Sequence, residues 1–510
     1  MRLAASRTHL RPVVPVALVA GSLALLSAAV VAGHHTRSTA LLVMLVSVAV
    51  VGPTRIRWSR LLAALILIIL FIPIRRYSLP GSLPFQLEPY RIFVALLVVA
   101  WLGALLVDPR ARFRRTGFEG PLILIFLSVI GSMLINSSRV AAVSSEVDKK
   151  LMFFVSYILV VYLMVGTIRG LEAIDYLVKT LVVGGSIVGF FSIIEARTGY
   201  NIFNHLARAI PILRPSDPTA MDSFTRVGTA KLRVFGSAQH PVALSAALVV
   251  LMPLAFYLAR RYRRRRWTIC ALILGAGCAS TVSRTGMVMF LVVAIVFLTL
   301  RFRETRRMWP ALIPALIAIH FALPGTLGAL KESFFPAGGL VAQQQSLAGQ
   351  SGSGRLADLS PGLTVWKEEP LFGLGYGTPV ATDLGGPDAG SNALDDQWLG
   401  TLLEIGAAGF VGWLWLFCRA MKKFGGEAKR DRSERGWLLA SLAAGIAAYG
   451  VGMTTYDAFA FIQVTFLLFI FIAIGSALMA EPRGSSAEGE EHAAREVEPT
   501  SRAVRRAYGT

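Results

Sequence analysis

The chain has 510 residues, 55% of them hydrophobic and only 16% charged. That is too little polar surface for a water-soluble globular protein, and the formal net charge of +21 does not mark a nucleic-acid binder, because the basic residues are confined to short links between apolar runs. Cys270, Cys278 and Cys418 lie in or beside apolar runs with no CxxC and no Cys/His cluster, so neither a disulfide nor a metal site is expected.

Apolar runs close to the ~20 residues needed to cross a bilayer recur from end to end, without the period-2 alternation of a barrel strand. In chain order they are 13–32, 40–52, 61–74, 91–107, 120–135, 151–167, 176–194, 242–259, 267–281, 285–300, 309–323, 397–417, 437–452 and 456–479. The first, preceded by Arg2, Arg7 and Arg11, reads as a retained helix and not a signal peptide, since so many spans follow. The expected fold is all-α, a polytopic transmembrane helix bundle of about 14 spans, with twelve to fourteen compatible with the pattern. Its transmembrane domain covers 1–480, and 481–510 reads as a disordered cytoplasmic tail.

The sides follow from the basic links. Arg55, Arg57 and Arg60, then Arg110 to Arg115, Arg260 to Arg266, Arg301 to Arg307 and Arg419 to Arg435 fall in alternate links. That bias places them, and both termini, in the cytoplasm. Two links of the opposite side are too long to be mere connectors: about 197–241 and about 324–396. The second is rich in Gly, Ser, Gln and Pro yet keeps Trp366, Phe372 and Tyr376, so part of it is expected to pack.

Candidate chemistry concentrates in the second half. Arg284, in Ser-Thr-Val-Ser-Arg-Thr-Gly between two apolar runs, is either an interface anchor or a guanidinium in a polar cavity, where its planar donor fork suits phosphate. Arg233 stands in Lys-Leu-Arg-Val-Phe-Gly-Ser-Ala-Gln-His-Pro, with Lys231 and His240 nearby as supporting groups, and Gly236 and Pro241 predict a shaped entry to the next helix. In the long link, Gly-Leu-Gly-Tyr-Gly has neither a preceding strand nor a Walker lysine, which argues against nucleotide binding. Asp395 and Asp396 directly precede a helix, as N-caps or as reactive carboxylates. Glu404 falls about two turns into that helix, where a carboxylate is expected to be partnered, protonated or facing a cavity.

These motifs in this order resemble the O-antigen ligase/polymerase superfamily. The order is Arg-Val-Phe-Gly-Ser then His-Pro; Ser-Arg-Thr-Gly at a hairpin; Arg355, Trp366 and Pro370-Leu-Phe-Gly-Leu-Gly-Tyr-Gly; and Asp395-Asp396-Gln-Trp-Leu with Glu404-Ile-Gly406. The resemblance spans roughly 190–420 by motif. It implies a glycosyltransferase that takes its glycan from a polyprenyl-pyrophosphate carrier and passes it to an acceptor glycan or glycolipid on the outer face of the bacterial inner membrane, with no cofactor. It also implies that Arg233 and Arg284 engage the donor pyrophosphate, with Arg355 and Glu404 supporting. The ligase pattern has His then Asn where this chain has Asp395 and Asp396, which points away from a strict lipid A core ligase and toward a polymerase. Asp395 or Asp396 is the expected base, with Asp395, in the place of that His, the position expected to be the more sensitive. The competing reading is a secondary transporter or lipid-linked oligosaccharide flippase, for which an intramembrane arginine and glutamate are equally suitable.

Overall fold

A computed structural model describes residues 57–80, 88–107, 113–216, 224–226, 229–308, 310, 312–335, 358–384 and 394–481. The first half holds α1 (Trp58–Phe71), α2 (Pro89–Val107), α3 (Glu119–Ile135), α4 (Ser144–Thr167) and α5 (Gly170–Thr198). The second holds α6 (Pro241–Tyr262), α7 (Arg265–Ser280), α8 (Arg284–Leu300), α9 (Leu312–Ala322), α10 (Thr326–Phe334), α11 (Leu359–Trp366), α12 (Gln397–Ala420), α13 (Glu434–Gly452) and α14 (Ile462–Ala480). Among the described residues the only strands are two antiparallel pairs in the links: Tyr77–Ser78 with Arg214–Pro215, and Phe224–Arg226 with Thr229–Arg233.

Five helices, α4, α5, α6, α12 and α14, are long and apolar enough to cross a membrane, and α1, α2, α3 and α8 are apolar but shorter. The chain is a membrane protein. The predicted spans 13–32 and 40–52 and the tail after Glu481 lie outside the described residues, and the expected fourteen spans are not reached among the rest. The last predicted span, 456–479, is corrected at its start. Its helix begins at Ile462, and 453–461 form an irregular turn in which Gln397 supplies an acceptor to the Phe459 N–H (2.8 Å) and Tyr456 stacks on Phe461.

Helix α14 is apolar on every side, which suits either lipid or protein neighbours, and here its neighbours are other helices. It sits in the middle, buried almost throughout, with α4, α6 and α13 packed around it. Around this centre some helices meet backbone to backbone. A Cβ on Gly277 of α7 would lie 2.8 Å from the Gly189 Cα of α5, the close approach that small residues permit between membrane helices.

The two ends of the bundle differ in charge. At one, Arg169 covers the C-terminus of α4, donating to the carbonyls of Gly166 (2.7 Å) and Ile168 (2.9 Å), Arg301 donates to the carbonyl of Asp431 at another helix C-terminus, and Arg419 donates to the carbonyl of Gly117 just before α3. Arg169 and Arg301 thus meet the negative ends of helix dipoles. Arg260 also pairs with Glu434 (3.2 Å), and Arg261 with Asp175 (3.5 Å). At the other end lie the starts of α6, α8 and α12 and the turn between α13 and α14. Gly286 of α8 abuts Ser245 of α6, Trp398 Nε1 donates to the Gly450 carbonyl (2.9 Å), and the Gln397 N–H donates to that of Met453 (2.8 Å).

Helix α12 is broken at Gly406, whose φ of 64° and ψ of −169° are far from helical. The segment 370–374 enters the break. Ala407 and Ala408 donate to the carbonyls of Pro370 (2.9 Å) and Leu371 (3.2 Å), and Leu374 donates to that of Leu403 (2.8 Å). Ser132 Oγ of α3 donates to the Glu404 carbonyl (2.6 Å), so groups freed by the break are satisfied within protein. A Cβ on Gly406 would lie 2.3 Å from the Leu371 carbonyl oxygen. Gly406→Ala is therefore expected to lower the melting temperature of the detergent-purified protein, with backbone strain alone costing about 1–3 kcal/mol. Gly426→Ala, at a helical φ of −63° with nothing within 4 Å, is expected to be neutral or stabilising. Equal melting of the two variants would contradict this account of the break.

Candidate functional site

Beside the break, a cavity of about 120 Å3 opens among α3, α4, α12, the segment 376–381 and the turn before α14. Its walls carry Arg75, Lys150, Asp396, Glu404 and Asp457, with Tyr376 and Gln397 between them. These residues run from position 75 to position 457 of the chain, and each is set in place by a backbone feature.

Glu404 stands at the last turn before the break. Its carboxylate pairs with Lys150 Nζ (3.1 Å) and accepts from the Gly377 N–H (3.3 Å). The glutamate side chain is 16% exposed and the lysine 46%, so the pair sits at an opening and not in a sealed core. Lys150 lies near the start of α4, where Tyr376 Oη donates to its carbonyl (3.1 Å). The segment 373–383 is stapled from below. Asn136 Nδ2 donates to the Gly373 carbonyl (2.8 Å), and Arg139 donates to Thr378 Oγ1 (3.2 Å) and pairs with Asp383. The expectation that part of the long link packs is met by a small apolar cluster in which Val365 and Trp366 cover Leu374, Val380, Leu399 and Leu403.

Asp396 is the N-cap of α12, accepting through Oδ1 from the N–H groups of Trp398 (2.8 Å) and Leu399 (3.2 Å), and it also lines the cavity. Asp395, the other expected base, is not among the lining residues. Asp457 occupies the turn before α14, its Oδ1 accepting from the Ala460 N–H (3.1 Å). Enclosure pushes its carboxyl above the usual range, with Glu404 adding to the shift and the Ala460 N–H, Lys150 and Arg75 opposing it. Arg75 is held at φ 67°, an uncommon conformation for a non-glycine residue, and its N–H donates to Glu88 (2.7 Å).

The first arginine motif is a shaped turn, as its glycine and proline predict. Gly236 has φ 50°, its N–H donates to Glu195 (2.9 Å), and its carbonyl accepts from Asn201 (3.1 Å) and the buried Arg76 (3.1 Å). Arg233 ends the strand leading into this turn, and the backbone of Lys231 lies in the same strand. His240 caps α6, with Nδ1 accepting from the Val242 N–H (3.2 Å) and its ring stacked on Phe461. Burial, with the positive charge of Arg233 beside it, lowers the His240 pKa to about 4, so the ring is neutral at physiological pH and acts as an acceptor cap. Arg284 is the first residue of α8, after a hairpin whose Val282 has φ 50°, a strained value for a β-branched residue. Arg233, Arg284 and His240 share this end of the bundle but do not line the cavity; Arg355 lies outside the described residues.

The family model for O-antigen ligase matches residues 269–414. That part of the chain resembles an O-antigen ligase domain. Comparison with curated proteins found no match. The matched interval contains Arg284, the segment docked in the helix break, Asp395, Asp396, Glu404 and Gly406, and the match supports an O-antigen ligase/polymerase-like glycan transferase at family level. The cavity beside this matched interval is completed by Arg75, Lys150 and Asp457, which come from outside it and which sequence reasoning missed. A signal existed for Asp457, which falls inside the predicted span 456–479, where the argument applied to Glu404 holds equally.

A carboxyl whose folded-state pKa is raised binds its proton more tightly in the folded protein. Its contribution to stability is complete below the ordinary aspartate pKa and is lost as pH rises through the folded value. Asp457→Asn removes this titration. Its melting temperature is expected to fall less than that of the wild type between pH 4 and pH 8, as read by thermal unfolding in detergent; parallel curves would place Asp457 in a water-like environment.

Proposed function

We propose that the chain transfers an oligosaccharide from a polyprenyl-pyrophosphate carrier to an acceptor glycan or lipid-linked glycan on the outer face of the bacterial inner membrane. The observation that carries this reading is the cavity of carboxylates and cations built against the helix break of the interval matched to O-antigen ligase. The end bearing the two long links faces outward, and the basic end of Arg260, Arg301 and Arg419 faces the cytoplasm. A reporter active in the cytoplasm when fused at Gly352 would overturn this orientation and the mechanism with it.

In the proposed reaction an acceptor hydroxyl gives its proton to Asp396, and its oxygen forms a bond to the donor's anomeric carbon. The bond from that carbon to the pyrophosphate oxygen breaks, and polyprenyl pyrophosphate leaves. Arg233 and Arg284, together with the cavity cations Arg75 and Lys150, stabilise the leaving charge. Of the two expected bases Asp396 is taken as the one that acts, because it lines the cavity while one of its oxygens holds the helix start. With guanidinium groups on the leaving charge, the transfer is proposed to be metal-independent. The transporter reading is disfavoured by the helix break, whose freed groups are occupied by the chain's own backbone and by Ser132.

Purified protein is expected to transfer glycan from a polyprenyl-pyrophosphate donor without nucleotide and in the presence of EDTA. Movement of the intact lipid-linked glycan across a vesicle membrane, with no transfer, would support the transporter instead. Arg284→Ala is expected to abolish transfer and Arg284→Lys to recover little, since a point charge lacks the fork that spans two phosphate oxygens. Full activity of Arg284→Lys would reduce the residue to an interface anchor.

Asp396→Asn is expected to keep the helix start, because Asn and Asp cap about equally well, while losing the ~10²–10⁴-fold that a general base supplies. Asp395→Asn is expected to be mild. Wild-type transfer by both variants would remove the base from this mechanism.

A further inference from the structure

One side chain joins the turn of the first arginine motif to the cavity. Arg75 and Arg76 are consecutive, yet they serve different places. Arg76 is buried in the turn, where its guanidinium lies over the Phe235 ring (4.3 Å) and donates to the carbonyls of Gly236 (3.1 Å) and Ala238 and to Asn204 Oδ1 (2.9 Å). Arg75, at its positive φ, lines the cavity instead. Gln239, the residue after Ala238, has an amide whose orientation is assigned by its partners. The oxygen accepts from Arg75 Nε (3.3 Å), and the nitrogen donates to the Ala460 carbonyl (2.9 Å). Ala460 is also the residue whose N–H holds Asp457. The turn that carries Gln239 is itself fixed. Glu195 of α5 accepts from the Gly236 N–H (2.9 Å), and Gln463 of α14 reaches both Ser237 Oγ (3.4 Å) and the Ile69 carbonyl of α1 (3.0 Å).

An amide at this position decides what Arg75 can do. A guanidinium carries five donors in a rigid fork. With Nε held by an uncharged oxygen, the outer nitrogens keep theirs, and among the described residues no carboxylate forms an ion pair with them. A carboxylate in the place of Gln239 would pair with Arg75 and cancel its charge. An aliphatic residue would leave an exposed, rotamer-rich side chain to be ordered only when an anion arrives, which weakens binding. The geometry points to Gln239 as a positioning residue that holds the Arg75 guanidinium, still charged, at the cavity and ties it to the turn of the Arg233 motif. The inference rests on the transferase reading and deepens it, by naming what aims one of the cations assigned to the leaving pyrophosphate.

The test is a double-mutant cycle in the full-length protein, read by binding of a fluorescent two-isoprene pyrophosphate. Gln239→Leu is expected to weaken binding about tenfold, a loss of about 1.4 kcal/mol, with little change in melting temperature. Arg75→Gln is expected to weaken it at least as much. The double variant should bind no more weakly than Arg75→Gln alone, because Gln239 acts through that side chain. Gln239→Glu keeps Nε held but cancels the charge, so it is expected to match Arg75→Gln in affinity and to flatten the salt dependence of binding. Wild-type affinity in Arg75→Gln or Gln239→Leu would overturn the inference, as would a further loss in the double variant. If Gln239→Leu melts well below the wild type, Gln239→Glu carries the test alone, and wild-type affinity and salt dependence there would overturn it. If the binding pattern holds while the wild type transfers no glycan, the positioning role stands and the transferase reading fails.

Discussion

The docking of residues 370–374 into the broken helix α12 is the constraint on which the rest of the site depends. A helix interrupted within a membrane protein leaves peptide groups without partners, and in an apolar setting each costs several kcal/mol. Here another stretch of the same chain supplies the partners, so the break and the loop are each stable only because of the other. Glu404 owes its position to this arrangement, since the break ends its helical segment beside Gly377 and Lys150. The same loop brings Tyr376 to α4 and, through Thr378 and Asp383, reaches Arg139. The cavity is thus a by-product of satisfying a backbone, which explains why its walls come from four distant parts of the chain.

Much of the architecture was legible because burial in a membrane protein is written in composition. Among the described residues the apolar runs fall where helices are found, and the irregular entry at Gly236 followed from a glycine and a proline beside a predicted span. The charge difference between the two ends was visible as basic links in alternation. What was not legible has a common cause. Gly406 looks like any small residue inside a helix, because its positive φ is imposed by a loop more than thirty positions away. Likewise the start of α14 was placed too early: 456–461 continues an apolar run, and contacts distant in sequence, such as those of Gln397 with Phe459 and Met453, help hold it in a turn.

The site residues divide the same way. Arg284, Asp396 and Glu404 stood out because each sets a charge against an apolar run, a local conflict that sequence displays directly. Arg75 and Lys150 sit among ordinary basic residues at helix ends, and nothing local distinguishes them from interface anchors. Their role appears only when α3, α4 and α12 are brought together. His240 shows the converse. A histidine beside a candidate arginine invites a chemical role, yet its ring caps α6 and is kept neutral by burial.

The position of α14 bears on how the bundle is assembled during synthesis. Of the described helices it is the last to leave the ribosome, and it is also the one at the centre, with α4, α6 and α13 arranged around it. Those earlier helices enter the bilayer without their common partner, and lipid or each other must fill the space meanwhile. Asp457, carried on the turn directly before α14, reaches the cavity at the same moment. The cavity and the core of the bundle are therefore completed in one late step, and a nascent chain arrested before Asp457 holds neither.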